Sequence, residues 1–153
     1  MVNVKYTWVY IFFLCLSSCH TFKEHNQESF ANRSWALGKE ITFKPVIEDI
    51  TKTYKISLEL RHMYGLQLKN LSVKVKTIFP SGKEATNNYV FYIMDENNAY
   101  KSNCSGDICD VETIISENMK FTESGTYQFI ITHNIPSTGI NGIMGLGFIM
   151  DAK

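Results

Sequence analysis

The sequence predicts a single antiparallel β-sandwich, of the jelly-roll or immunoglobulin-like kind, behind a lipoprotein signal peptide. Several short segments alternate apolar and polar side chains with the period of two that is typical of half-buried strands. Turn residues such as Pro80-Ser81-Gly82 separate these segments. A chain of 153 residues that is 44% hydrophobic and 13% aromatic has enough apolar side chains for one packed core. We therefore expect a signal peptide over 1–18, a lipidated tether over 19–29 and the sandwich over 30–153.

The N-terminal residues have the three-part layout of a secretory signal. Lys5 precedes an apolar run from Tyr6 to Leu16, and Ser17 and Ser18 close that run. The run has about 11 residues, whereas a helix that spans a membrane needs about 20. The mature chain is therefore expected to lack a transmembrane segment.

The segment Leu16-Ser17-Ser18-Cys19 matches the bacterial lipobox. In such a motif the cysteine sulfur accepts a diacylglyceryl group, and cleavage then frees the cysteine amine for a further acyl chain. Two or more acyl chains hold a protein stably at a membrane. The alternative is an ordinary secretory signal that ends near a cysteine. The spacing favours lipidation of Cys19, and it makes the lipid bilayer, contacted through the acylated Cys19, the first expected partner.

The first half of the chain contains the clearest strand patterns. From Thr53 to Arg61, Tyr, Ile and Leu alternate with charged residues and Ser, and Leu71 to Phe79 repeats the pattern. Before them, Glu40 to Ile47 is predicted as an edge strand, because Pro45 has no N–H to donate inside a sheet.

The second half continues the sheets with less regular patterns. Tyr89 to Met94 is apolar on both faces and predicts a central strand that is covered on both sides. Glu112 to Phe121 is the one segment that could be helical, although its β-branched residues weaken that prediction. Thr126 to Thr132 alternates again, and Ile143 to Met150 is an apolar strand spaced by glycines. Those glycines are expected to relieve a bend or to let another backbone approach.

Charge and motif content exclude several functional classes. Basic and acidic side chains number 15 each, so the chain lacks the cationic surplus that binds phosphate backbones, and we expect no nucleic-acid partner. The sequence has no nucleophile elbow, zinc-peptidase motif, phosphate loop or dinucleotide fingerprint. His62 and His133 are predicted to be surface or hydrogen-bonded histidines rather than general bases. We therefore expect no enzyme activity, no catalytic residues, no metal and no cofactor.

Cys104 and Cys109 remain as thiols once Cys15 is removed with the signal and Cys19 is acylated. They lie in a turn-like stretch, and in an oxidising compartment such a pair favours a disulfide. Closing so short a loop constrains the unfolded chain by only about 2 kcal/mol, so the bond would stiffen a loop tip. Free thiols, or a metal site that also uses Asp107, Asp110 and Glu112, are the alternatives.

Polar residues at strand ends are candidate partner contacts, because loops on a rigid scaffold often carry function. These candidates are Arg61, His62, Tyr64, Asn70 and Asp107. The structural alternative is that Arg61 clamps a neighbouring carboxylate or carbonyl. Exposed aromatic residues could instead stack on sugars, which makes a carbohydrate-binding lipoprotein the alternative function. The aromatic residues considered for this are Trp35, Tyr64, Tyr89, Tyr92 and Tyr100.

An ordered set of residues along the whole chain resembles the gliding motility lipoprotein GldH family of Bacteroidota. The set begins with the lipobox that ends in Cys19, Trp35, Phe43, Asp49, Tyr54, Arg61-His62, Tyr64 and Asn70-Leu71. It continues with Pro80-Ser81-Gly82, Gly106-Asp107-Ile108, Gly125-Thr126-Tyr127 and the run from Gly142 to Gly147.

The resemblance implies a lipid-anchored cell-envelope protein that is required for gliding and associated with type IX secretion. It implies no catalytic residues, and it makes other gliding or type IX secretion proteins the expected partners. No acidic cluster follows Cys19 immediately, so we expect the domain to face the periplasm. The choice between inner and outer membrane stays open at this point.

Overall fold

The computed structural model describes residues 22–153 and shows two antiparallel sheets that form a β-sandwich. In spatial order the first sheet contains β1 (Phe22–Asn26), β13 (Ile143–Ala152), β5 (Thr53–Met63), β9 (Ile108–Lys120) and β8 (Asn103–Ser105). The second sheet contains β3 (Ile41–Phe43), β11 (Gln128–His133), β6 (Asn70–Ile78) and β7 (Glu84–Tyr92). Two short ribbons pair β10 (Gly125–Thr126) with β4 (Val46–Ile47), and β12 (Gly139–Asn141) with β2 (Ser34–Ala36). The predicted all-β sandwich is confirmed.

One 3-10 turn, Ala31–Arg33, precedes β2. Within residues 22–153, no helix has the length and apolar character needed to cross a bilayer.

The core lies between the two sheets and is centred on Phe148 of β13. Its ring centroid lies 4.7 Å from that of Phe129 in β11 and 5.5 Å from that of Phe43 in β3. β5 contributes Ile56, Leu58 and Leu60, all fully buried, as its period-two alternation predicts. Strands from both sheets therefore pack on one aromatic side chain.

The predicted edge strand over 40–47 is interrupted at Pro45 and becomes β3 and β4. β3 is an outer strand of the second sheet, as the proline indicates. The Pro45 carbonyl accepts a hydrogen bond from the N–H of Tyr127 at 3.0 Å. The proline therefore separates two short pairings without leaving its own carbonyl unpaired.

The helical alternative for Glu112 to Phe121 is wrong, because this segment belongs to β9. β9 pairs with β5 along nearly its whole length, from Met63 opposite Ile108 to Thr53 opposite Lys120. The register shifts near Ile56, which is where a bulge breaks the regular alternation that would have indicated a strand. Pairing with a distant strand decides the conformation here.

The prediction of a central strand at Tyr89 to Met94 is also wrong, because β7 is an edge strand. β9 crosses close to that edge, and the Thr113 hydroxyl donates to the Val90 carbonyl at 3.0 Å. Phe91 points into the core, while Tyr92 is exposed. The apolar run therefore reflects cover from the opposite sheet rather than a second neighbour in the same sheet.

The segment predicted as a tether contains β1, which pairs with β13 from Phe22 opposite Met150. The Phe22 ring lies 5.9 Å from Phe148, which ties the strand to the core. A Cβ at Gly147 would lie 2.6 Å from Nδ1 of His25, so the glycine leaves room for that imidazole. The imidazole reaches across the glycine to lie 3.6 Å from the Glu59 carboxylate.

The strand directions give the sandwich two ends. The terminal end, as we call it, contains Phe22, Thr53, Lys120 and Lys153. The loop end contains the segments 64–69, 93–102 and 106–107, which follow or precede β5, β7 and β9.

Candidate functional site

The loop end is held together by hydrogen bonds between its three segments. The Tyr100 hydroxyl donates to the Leu66 carbonyl at 3.0 Å and accepts from the N–H of Gly65 at 2.9 Å. The N–H of Tyr64 donates to the Asp107 carbonyl at 2.9 Å. Because the segment 64–66 is hydrogen-bonded to both of the other loop segments, it is a fixed platform rather than a free loop. Tyr64 and Asp107, two of the predicted contact residues, are thus neighbours.

Tyr64 is the most exposed large side chain of this platform, at 60%. Its ring lies 5.3 Å from the Tyr100 ring, with the two planes inclined by 51°. Stacking on a sugar ring favours coplanar aromatic faces, which this pair does not offer. Trp35, another predicted stacking residue, is fully buried.

Asn70 lies on an open cleft of about 600 Å³ at the loop end. The Lys101 ammonium lies 5.5 Å from the exposed Tyr92 ring on the same cleft. The Asp95 carboxylate accepts hydrogen bonds from the N–H groups of Asn97 and Ala99 at 2.8 and 2.9 Å, which fixes the turn above the cleft. The residues that line the cleft are Lys69, Asn70, Tyr92, Met94, Asp95, Glu96, Asn97 and Lys101.

His62 is fully buried and hydrogen-bonded, so of the two predicted settings the surface one is wrong for this residue. Its Nδ1 lies 2.9 Å from the Met63 carbonyl, which can only accept, so Nδ1 carries the proton. Nε2 therefore accepts from the Ser102 hydroxyl at 2.7 Å. Burial lowers the pKa of His62, although the Met63 carbonyl and Asp110 favour the charged form. A partner cannot reach this side chain from solvent.

We expect acid to destabilise the fold through His62. Its pKa in the folded chain lies below the ordinary value of 6.5, so the unfolded chain binds this proton first as the pH falls. The free energy of unfolding should therefore decrease as the pH falls below about 6.5, and this contribution should be fully present above that value. Urea unfolding between pH 5 and pH 8 measures the dependence. The His62→Gln variant should show a shallower slope, and an unchanged slope would contradict the assignment.

Arg61 forms a clamp with Asp110 on the strand beside it. Its Nε donates to one carboxylate oxygen at 2.8 Å, and a terminal guanidinium nitrogen donates to the other at 2.9 Å. The hydrogen bond to Asp110 raises the pKa of Arg61. Arg61 therefore has the structural role that was the alternative to partner contact, because its guanidinium group is already bound to a carboxylate of this chain.

Cys104 and Cys109 face each other across the β8–β9 hairpin and are joined by a disulfide. The hairpin turns at Gly106 and Asp107, and Gly106 has a φ of +60°, which favours glycine. The bond therefore stiffens the turn whose Asp107 carbonyl holds Tyr64. Within residues 22–153 no group of three or more His, Cys, Asp or Glu side chains is placed to hold a metal ion.

His133 is buried as well, so its surface alternative is also wrong. Its Nε2 lies 3.3 Å from the Ala36 carbonyl, and its ring centroid lies 5.3 Å from that of Trp35. His133 therefore belongs to the core beneath β2.

Sequence reasoning missed the roles of Tyr100, which holds the platform, and of Ser102, which satisfies the buried His62. Tyr100 was considered only as a possible stacking residue, and Ser102 was not considered. Both lie in a polar segment without periodicity, so only the fold brings them to partners 34 to 40 residues away in the sequence. The exposed, fixed surface consists of Tyr64, Asp107 and the cleft that begins at Asn70.

Comparison with known proteins gives a family. The chain matches the GldH lipoprotein family over residues 23–150. It is 26% identical over 145 residues to the gliding motility lipoprotein GldH homolog of Christiangramia forsetii, which covers 94% of this chain and 90% of that protein. No solved structure matches the chain. Because the match extends over most of the sequence, from β1 into β13, the chain belongs to the GldH lipoprotein family.

Proposed function

We propose that this GldH lipoprotein is a non-catalytic docking protein of the gliding apparatus, held at a membrane by the acylated Cys19. In this proposal the loop end binds another envelope protein, and the apparatus it joins is the one associated with type IX secretion. The observation that carries the proposal is the fixed, exposed platform at Tyr64 and Asp107. A rigid loop loses little conformational entropy on binding.

The anchor supports docking by confining the domain. Cys19 lies outside the residues that the structure describes, so its acylation rests on the lipobox and on the family. A protein held in a thin layer meets its neighbours at high effective concentration. The platform then needs only modest affinity for a partner in the same layer, which we propose to face the periplasm.

The pair His62 and Ser102 is the arrangement closest to catalysis, and its setting supports a structural role. A serine whose hydroxyl donates to histidine Nε2 can act as a nucleophile. Acyl transfer also needs a substrate cavity at the serine and N–H donors aimed at the developing charge. The cleft at the loop end is lined by Lys101 but does not reach Ser102. The hydrogen bond instead satisfies a buried histidine.

A gene deletion complemented with variants tests the proposal. Colony spreading should fail in the deletion and recover with wild type, but not with Cys19→Ala. The Tyr64→Ser/Asp107→Asn variant should accumulate normally, spread poorly and lose most of its partner in a pull-down. Secreted type IX cargo, measured in the same strains, tests that association separately.

The matched control is Ser102→Ala, which should preserve spreading. Loss of spreading by Ser102→Ala in a protein of normal abundance would point to hydrolase chemistry instead. Normal spreading by the deletion strain would refute the motility role. Full activity of the Tyr64→Ser/Asp107→Asn variant would show that the platform is not the surface that binds the partner.

Carbohydrate binding is the second candidate, and the loop-end cleft is the observation that favours it. Tyr92 offers an exposed ring beside amide and ammonium groups, which suits a sugar better than the inclined pair at Tyr64. If Tyr92→Ala removes binding to an envelope glycan while Tyr64→Ser does not, we would assign carbohydrate binding rather than protein docking to the loop end.

A further inference from the structure

The length of chain between the anchor and the fold restricts where the membrane can lie. β1 begins at Phe22, opposite Met150 near the end of β13, so it starts at the terminal end. Three residue steps separate Phe22 from Cys19. A fully extended chain spans at most about 3.6 Å per residue, so the two Cα atoms lie within roughly 11 Å of each other.

We propose that the terminal end faces the bilayer and that Val46 and Ile50 enter the lipid interface there. This inference rests on the acylation of Cys19 stated under the proposed function. It adds an orientation and a second membrane contact, neither of which follows from an anchor alone.

Val46 and Ile50 are placed on the terminal end by their pairing. Val46 lies in β4 opposite Thr126 of β10, just before β11 begins. Ile50 lies in the following turn, which is fixed because the Tyr54 hydroxyl donates to the Asp49 carbonyl at 2.9 Å. The two side chains are 55% and 46% exposed.

A single exposed aliphatic side chain needs no explanation. Here two of them share the end of the sandwich from which the anchor must leave. Side chains of this kind that lie within reach of a bilayer gain free energy by burial in the headgroup boundary.

Two lysines lie at the same end of the sandwich, Lys52 two residues after Ile50 and Lys153 hydrogen-bonded through its N–H to the Thr53 carbonyl. The Lys52 ammonium lies 3.9 Å from Asp49, and the Lys153 ammonium lies 3.5 Å from Glu117. These nearby carboxylates partly neutralise the cations, so the apolar contact carries the proposal. The lysines suit a polar headgroup layer, because long ammonium side chains can keep their charge in water while the stem lies against lipid.

The orientation also sets the distance between the loop end and the bilayer. β5 runs from one end to the other and has 11 residues, which at about 3.3 Å per residue is roughly 35 Å. With β5 along the membrane normal, Tyr64 and Asp107 therefore lie up to about 35 Å farther from the bilayer than Thr53 at the terminal end. A partner must extend to that height, or be a soluble envelope protein that meets the platform from above.

Depth-dependent fluorescence quenching tests the proposal on the full acylated protein. The protein is purified in detergent and reconstituted into vesicles of phosphatidylethanolamine and phosphatidylglycerol. Val46→Cys, Ile50→Cys and Tyr64→Cys each provide one labelling site, because Cys104 and Cys109 are bonded to each other and Cys19 is acylated. Tyr64→Cys is the matched control, since its exposure is similar and it lies at the opposite end.

Nitroxide lipids that carry the quencher just below the headgroups should quench labels at positions 46 and 50 at least about threefold more than the label at 64, because interfacial side chains lie 5–10 Å deep. Equal quenching at all positions, in protein that floats with the vesicles, overturns the orientation and leaves the anchor intact. Failure to float, with an unmodified N-terminal peptide by mass spectrometry, overturns both. The two reporter positions lie in different segments, so a folding defect in one variant leaves the other as the test.

Discussion

Replacing Phe148 with alanine is expected to lower the free energy of unfolding by about 3–5 kcal/mol. Phe148 is fully buried, and its ring packs against aromatic residues of β1, β3 and β11. The second sheet contributes two of these contacts and the edge strand β1 contributes the third. The cavity left by alanine would therefore weaken the packing between the sheets and the attachment of β1. A typical domain is stable by only 5–15 kcal/mol, so the variant approaches the limit of folding.

Urea unfolding followed by the fluorescence of Trp35 measures this loss. The matched control is Ile149→Ala, one residue later in β13, where the half-buried side chain lies on the outer face of the first sheet. It should cost about 1 kcal/mol, since little of the removed surface is buried by the core. Equal losses in the two variants would show that Phe148 is not the centre of the core.

The strands that could be predicted from the sequence are those whose faces differ. β5, β6 and β11 have one face on the core and one toward solvent, so each alternates and was recognised. Pro45 also gave the correct edge position for β3, because its missing N–H is a local property. Where the apolar residues of a strand are also its buried residues, the strand can be predicted from the sequence.

The segments that were misassigned depend on distant partners. β9 has a bulge opposite Ile56, which breaks the period that would have identified a strand. The run from Tyr89 to Met94 is apolar because β9 of the opposite sheet lies against the edge strand β7, not because the run is central. β1 has few apolar side chains, and its place was available only because β13 leaves an edge at which Gly147 admits His25. None of these causes lies within a short window of sequence.

The candidate site shows the same division. Tyr64 and Asp107 were predicted from their positions at strand ends, and the structure places them together in the exposed platform. The alternation in β5 was taken to end at Arg61, but the strand continues to Met63. One further step of the same period turns His62 inward, where it meets Ser102. The error was therefore one of strand length rather than of residue chemistry.

Replacing Trp35 with alanine should cost about 3–5 kcal/mol of unfolding free energy and should not act by removing a sugar platform. The indole is fully buried, and its ring centroid lies 5.5 Å from that of Phe30 and 5.3 Å from that of His133. Its N–H donates to the Lys39 carbonyl at 2.9 Å. In the variant this carbonyl would lose its hydrogen-bond donor. Circular dichroism must be the readout, because the substitution removes the fluorophore used for the other variants.

The matched control for this experiment is Leu37→Ala, two residues later in the turn that follows β2. Leu37 is 57% exposed, so its removal should change the free energy of unfolding by less than about 0.5 kcal/mol. If Trp35 were instead a stacking surface, its alanine variant would keep the wild-type stability and lose only glycan affinity. The buried indole requires the opposite result. Tyr64 and Tyr92 are the exposed members of the five aromatic residues considered for stacking, so they are the positions to test for carbohydrate binding. A stable Trp35→Ala protein would contradict the core described here.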